Sequence, residues 1–175
     1  MTTELILGGA RSGKSKIAEE RARATGLGLL YIATGEAGDD EMASRIAHHR
    51  ERRGNDWIVI EEPILLAEQL QNNATEENCI LVDCLTLWIS NCLFSNQHSC
   101  WEVEREKLLT LLPTLPGQII FVSNEVGMGV VPMGKETRLF VDESGWFHQR
   151  LAEKCDRATF IVAGLSHTLK GSLSD

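Results

Sequence analysis

The stretch Gly8-Gly9-Ala10-Arg11-Ser12-Gly13-Lys14-Ser15 constrains this chain more than any other. It follows the apolar run Leu5-Ile6-Leu7 and leads into the helix formers Lys16 to Ala22. Strand, glycine-rich loop and helix in that order match the phosphate-binding pattern G-x-x-x-x-G-K-[ST] at every position. Glycines at both ends let the backbone curl so that successive N–H groups face an anion. The N-terminus of the following helix adds partial positive charge at the same point. In that arrangement Lys14 reaches the β- and γ-phosphates of a nucleotide and the Ser15 hydroxyl ligates Mg²⁺.

A strand–loop–helix start calls for a sheet with helices around it, and 175 residues suffice for one such domain with a full core. The formal charge of −8 argues against a nucleic-acid backbone as the main ligand. Five cysteines, with no C-x-x-C pair, disfavour both a disulfide framework and a thiolate zinc site. Reduced, partly buried thiols are expected instead. No signal-peptide pattern and no membrane-length apolar run is present, so the sequence reads as cytoplasmic.

The remaining apolar runs are short and continuous, as in strands buried on both faces. They are Leu29 to Ala33, Trp57 to Ile60, Cys79 to Val82, Ile119 to Val122 and Thr159 to Ala163. Helical stretches fall between them: Glu41 to Arg53, Ile64 to Asn72, Leu85 to Phe94, Trp101 to Leu112, and Lys135 to Asp156 with a break at Gly145 left open. From Gly164 onward the chain reads as a polar tail. About six strands alternating with helices give an α/β fold, a mostly parallel P-loop NTPase-type sheet covered by helices on both faces.

Ligands of such sheets bind at the C-terminal ends of the strands. Two strand ends carry candidates there. Thr34-Gly35-Glu36 follows the second strand, and Thr34 either caps the turn or meets the nucleotide. Asp83 ends the Cys79 run, where it either holds Mg²⁺ or caps the next helix. Met128 lies between Gly127 and Gly129 in a further strand-end loop, where two glycines suggest tight backbone closing over a ligand.

The helix from Glu41 to Arg53 separates two adjacent histidines. At about 100° per residue, His49 shares a face with Met42 and Ile46, whereas His48 joins Glu41, Arg45 and Arg52. An imidazole beside two guanidinium groups suits a phosphate, and nearby cations keep it in the neutral, nucleophilic form. The same pattern also describes a solvated charged face, which is the commoner meaning of helical charge runs.

Taken together, several motifs resemble one family along nearly the whole chain. They are the Gly8–Ser15 loop, Tyr31-Ile32-Ala33-Thr34, Asp40-Glu41-Met42, Arg45-Ile46-Ala47-His48-His49-Arg50, Trp57, Glu61, and Ser123-Asn124-Glu125-Val126-Gly127-Met128-Gly129-Val130-Val131-Pro132. The family is the bifunctional adenosylcobinamide kinase / adenosylcobinamide-phosphate guanylyltransferase of cobalamin biosynthesis. The resemblance implies two reactions. One moves the γ-phosphoryl of ATP or GTP to adenosylcobinamide. The other passes GMP from GTP, through a covalent GMP–histidine, to the cobinamide phosphate.

The resemblance also implies residue roles. His48 would carry GMP, and Thr34, Gly35, Glu36, His49, Arg50, Glu51, Arg52 and Glu61 would add nucleotide contacts to those of Gly8, Gly9, Ala10, Arg11, Ser12, Gly13, Lys14 and Ser15. Ser15 and Asp83 would position Mg²⁺. Some relatives carry Glu where this chain has Asp83, and a shorter carboxylate can move the metal contact to one made through water. A homo-oligomer is implied as well. The sequence alternatives are a plain small-molecule kinase, a regulatory GTPase and a non-catalytic nucleotide-binding module. The GTPase lacks support, since Asn124 is followed by Glu125-Val126 rather than the N-K-x-D guanine-reading tetrapeptide.

Overall fold

The computed structural model describes residues 2–35, 56–95 and 100–172. Among them, seven strands form one sheet: β1 (Thr2–Gly8), β2 (Gly28–Ala33), β3 (Trp57–Glu61), β4 (Asn78–Asp83), β5 (Gln118–Asn124), β6 (Arg157–Val162) and β7 (Leu165–Lys170). Their order across the sheet is β3-β2-β4-β5-β1-β6-β7. All neighbours are parallel except β6 and β7. The helices are α1 (Lys14–Ala24), α2 (Leu66–Asn73), α3 (Leu85–Leu93), α4 (Cys100–Leu111) and α5 (Lys135–Lys154).

The continuous apolar runs of the inner strands are covered on both faces, to which successive side chains point in turn, whereas the run Trp57 to Ile60 forms the edge strand β3 and leaves Ile58 and Val59 exposed. On one face Leu5, Ile32, Ile80, Val82 and Phe121 pack against α2, α3, α4 and α5. On the other, Ile6, Tyr31, Leu81, Ile120 and Val122 meet Ala18 and Ala22 of α1. The heart of the first layer is aromatic. Trp88 contacts Trp101 and Phe147 with centroids 5.4 and 5.5 Å apart, and its indole N–H donates to the Ile64 carbonyl at 2.8 Å. Such tilted and edge-on pairs add stability beyond their buried area.

Helix α1 is fastened to the sheet by a buried ion cluster. Arg21 Nη1 pairs with Glu4 Oε1, and the Thr159 hydroxyl donates to that same oxygen at 2.8 Å. Arg157 stands 3.5 Å from the other carboxylate oxygen. Glu4 is almost wholly buried, and a carboxylate in the interior depends on paired donors of this kind.

Three details differ from the sequence expectation. Leu165–Lys170 is an antiparallel edge strand rather than a polar tail. Helix α5 runs unbroken through Gly145, around which an added Cβ would meet nothing within 4 Å. Helix α2 starts at Leu66, after the Glu62 carboxylate has taken up the backbone N–H groups of Ile64 and Leu65 at 2.9 and 2.8 Å. The expected helix from Glu41 to Arg53 lies outside the described residues.

Candidate phosphate-transfer site

Strand register places the candidate groups along one edge. Gly8 is level with Asn124 and Ile161, and Ala33 is level with both Asp83 and Glu61. The loop after β1 therefore opens between the ends of β5 and β6, with the end of β4 one strand beyond β5. This is the C-terminal edge where ligands of open α/β sheets bind.

The loop needs glycine at its first and sixth positions. A Cβ on Gly8 would fall 2.6 Å from the Ile161 carbonyl oxygen and 2.6 Å from Ser12 Oγ. Gly13 sits at φ 97°, and a Cβ there would lie 3.3 Å from Gly164 Cα. Arg11 is also left-handed, at φ 56°. Left-handed residues alternating with ordinary ones are what turn successive N–H groups toward an anion. Two neighbours hold the loop: Gly164 N–H donates to the Ser12 carbonyl at 2.8 Å, and Glu125 N–H to the Gly8 carbonyl at 3.0 Å. Ser12 Oγ is buried and has no hydrogen-bond partner, so a phosphate-binding loop keeps one polar group unpaired in its wall.

Lys14, the first residue of α1, is buried, and its ammonium donates to the Gly9 carbonyl at 2.9 Å. Burial lowers its pKa, while the charge of Asp83 opposes that shift. The phosphate-loop lysine and Asp83 thus stand on the same edge of the sheet, beyond the ends of β1 and β4 with β5 between them. Ala10 and Arg11 are exposed, and Gly9, Ser12 and Ser15 are half-buried.

Asp83 does not cap α3. The N-cap position belongs to Cys84, which makes no side-chain cap bond. One Asp83 oxygen instead accepts the Tyr31 hydroxyl at 2.9 Å. The Asp83–Cys84 peptide is cis, and Thr34 clasps it: the Thr34 hydroxyl donates to the Cys84 carbonyl at 2.6 Å and accepts the Cys84 N–H at 3.0 Å. Thr34 is fully buried, so its side chain positions the Asp83 turn rather than reaching over the edge. Asn91 donates to the Thr34 carbonyl at 2.8 Å and to Pro63 at 3.2 Å, tying the ends of β2 and β3 to α3. Gly35 is half-buried just beyond, and Glu61 is exposed at the end of β3.

The donor set suits Mg²⁺. Ser15 and Asp83 offer hard oxygen ligands, and no cluster of three or more acidic, histidine or cysteine groups is present among the described residues. Mg²⁺ in nucleotide sites is commonly held by one or two protein oxygens together with phosphates and waters. Cys79, Cys84 and Cys155 are held as thiols. All five cysteines are free. Burial raises Cys79 and Cys155 to about 12 and Cys84 to about 11.

Sequence reasoning missed a chain of hydrogen bonds beneath the site. Asn124 N–H donates to the Thr86 hydroxyl at 2.7 Å, Thr86 Oγ1 lies 3.2 Å from Ser123 Oγ, and Ser123 Oγ lies 2.8 Å from His148 Nε2. The available signal was His148 itself, which shares the buried stripe Ser144, Phe147 and Leu151 of α5. Desolvation lowers His148 to about 4, with Glu125 opposing.

A folded pKa below the ordinary 6.5 means that the unfolded chain binds the extra proton first. The stability this neutral histidine contributes is complete above pH 6.5 and falls away as the pH drops toward 4. We expect a loss of up to about 3 kcal/mol across that window. Urea unfolding of the wild type and of His148→Gln, which keeps an acceptor for Ser123 but does not titrate, reads it as an additional slope in the wild type over that of the variant, in which carboxylates such as Glu106 still titrate.

The predicted contacts Glu36, His49, Arg50, Glu51 and Arg52, and the predicted nucleophile His48, lie outside the described residues.

Solved structures share this architecture at low identity. The RadB recombinase matches with a TM-score of 0.53 and 15% identity, over 91% of this chain and 73% of its own. The flagellar accessory protein FlaH of Methanocaldococcus jannaschii matches at 0.50 and 13%, over 99% and 82%. These likenesses establish a P-loop NTPase fold and nothing finer.

Sequence relatives go further. The bifunctional adenosylcobalamin biosynthesis protein CobP of Pseudomonas aeruginosa is 55% identical over 168 residues, covering 96% of this chain and 97% of its own. CobU of Salmonella typhimurium, with the same description, is 35% identical over 179 residues, covering 95% and 98%. The family model for cobinamide kinase / cobinamide phosphate guanyltransferase matches residues 4–169. With the phosphate loop, the facing Asp83 and near full-length relatives in agreement, the chain belongs to the cobinamide kinase / cobinamide phosphate guanyltransferase family, enzymes of adenosylcobalamin biosynthesis.

Proposed function

We propose that the Gly8–Ser15 loop serves two successive transfers. It first presents the γ-phosphoryl of ATP or GTP to the hydroxyl of adenosylcobinamide, and then holds GTP for transfer of GMP to the resulting phosphate. The observation that carries this reading is the convergence of Lys14 and Asp83 on one sheet edge, within a chain whose family pairs the two activities.

In the kinase reaction, backbone N–H groups of Gly9 to Ser15 cradle the phosphates and Lys14 neutralises charge on the transferring group. Ser15 and Asp83 would hold Mg²⁺, which when bound screens the phosphate oxygens. Tyr31 and Thr34 fix the Asp83 turn, so little reorganisation is needed as charge develops. Phosphoryl transfer depends mainly on such positioning.

In the nucleotidyl reaction, a neutral imidazole nitrogen of His48 attacks the α-phosphorus of GTP. A P–N bond forms, the bond to pyrophosphate breaks and pyrophosphate leaves. A phosphate oxygen of the cobinamide phosphate then attacks the same phosphorus, the P–N bond breaks and the imidazole is restored. Two displacements replace one encounter between two large anions. Glu36, His49, Arg50, Glu51, Arg52 and Glu61 would serve as further nucleotide contacts.

The working form would be a cytoplasmic homo-oligomer with no nucleic-acid partner. Two features support this picture: the acidic charge, and the exposed edge strand β7, whose unpaired backbone groups can pair with another copy. No helix among the described residues is long and apolar enough to cross a membrane.

The test is a product assay. Purified protein with Mg²⁺, ATP and adenosylcobinamide should yield the phosphate ester by mass spectrometry, and added GTP should convert it to adenosylcobinamide-GDP with release of pyrophosphate. ATP turnover that leaves the cobinamide unmodified would overturn the proposal.

A further inference from the structure

After β5 the chain reads Glu125-Val126-Gly127-Met128-Gly129-Val130-Val131-Pro132-Met133-Gly134, with no charged residue after Glu125. Met133, Val130 and Met128 are the most exposed large apolar side chains among the described residues, at 97, 95 and 78%. Val131 is 74% exposed. Exposed apolar clusters of this kind mark binding surfaces on soluble proteins.

Both ends of the segment are pinned. Glu125 N–H donates to the Gly8 carbonyl at 3.0 Å, and the Glu125 carboxylate accepts Gly127 N–H at 2.5 Å. At the far end Arg138 donates to the carbonyls of Pro132 and Met133 at 3.0 and 2.5 Å. The apolar side chains are thus held outward by a fastened backbone.

Position selects the occupant. Strand β5 lies between β1, which carries the phosphate loop, and β4, which carries Asp83. A loop leaving the end of β5 therefore emerges over the place where an acceptor must meet the transferring group. The other exposed apolar surface near the loop, Val162 and Leu165, belongs to β6 and β7 on the far side of β1 from Asp83. Val130 is five residues beyond Glu125, within about 18 Å along the chain. An uncharged Val/Met surface does not suit a nucleotide. It suits a broad macrocycle with a methyl-bearing rim and its reacting hydroxyl on a flexible arm, and methionine adapts to such irregular contours.

We propose that Met128, Val130, Val131 and Met133 form the shelf that carries the corrin ring of cobinamide while its hydroxyl arm reaches the Gly8–Ser15 loop. This rests on the functional reading above and adds the acceptor subsite to it. The test compares wild type with Val130→Ser/Val131→Ser and Met128→Ser/Met133→Ser, changes at exposed positions that leave the core intact.

Equilibrium dialysis of cobinamide alone, followed by its visible absorbance, should show at least tenfold weaker binding in each double variant. In the kinase assay KM for cobinamide should rise by a similar factor while KM for ATP stays within twofold. Dialysis reads the shelf without turnover, so a wild type that binds cobinamide but fails to phosphorylate it would sink the functional reading and leave the shelf standing. Unchanged cobinamide binding in both variants would overturn the shelf. So would unchanged binding together with a shift in sedimentation velocity, which would assign the patch to a second copy of the chain.

Discussion

Replacement of Lys14 by alanine is expected to lower transfer of the γ-phosphoryl group by about 10³-fold or more, with the fold intact. Removing a single preorganised donor from a charge-stabilising site costs about 10²–10³-fold. Lys14 supplies a full charge as well as a hydrogen bond, from a buried position facing Asp83. Among the described residues its ammonium bonds a backbone carbonyl of its own loop, so its loss orphans no distant partner there and circular dichroism should stay unchanged. Lys14→Arg should rescue little, since a planar guanidinium does not replace a compact ammonium in a loop this close. If one loop serves both reactions, as proposed, Lys14→Ala should also depress guanylylation. Residual kinase activity above a tenth of wild type would contradict the role given to the loop.

The centre of the sheet was legible because its inner strands are buried on both faces. Leu29 to Ala33, Cys79 to Val82 and Ile119 to Val122 are unbroken apolar runs, and such runs admit few other structures at that length. Strand β7 was not legible for the opposite reason. All six of its residues are exposed, so no burial pattern marks it, and its turn hides the usual hairpin signal. Ala163 and Gly164 both have positive φ, at 52° and 78°, where asparagine–glycine would have announced the turn.

The phosphate loop could be read residue by residue because a local backbone shape demands its glycines. Asp83 stands where metal binding and helix capping both place an acid, and the phosphate loop at Gly8 favoured the metal. The Tyr31 bond and the Cys84 N-cap remove the capping alternative. The supporting groups, Thr34 on Cys84 and His148 on Ser123, join residues 50 and 25 positions apart, and no local pattern encodes such pairs. For Thr34 the sequence offered the strand end but not the direction of the side chain.

The second large effect concerns His48. Its role rests on the paired-histidine motif and on the helical spacing that separates it from His49, in a family whose description includes guanyltransfer. If His48 carries GMP, no other step can substitute for it, and His48→Ala should lose guanylylation entirely while keeping phosphorylation of cobinamide. On the proposed reading His49→Ala removes a nucleotide contact rather than the nucleophile, and should slow the reaction without abolishing the intermediate.

Incubation with Mg²⁺ and GTP labelled on the α-phosphorus, followed by a denaturing gel, measures this directly. The account predicts label on the wild type that survives alkali and is lost in acid, as a phosphoramidate is, present in His49→Ala and absent in His48→Ala. An unlabelled wild type that still phosphorylates cobinamide, or label that persists in His48→Ala, would contradict it.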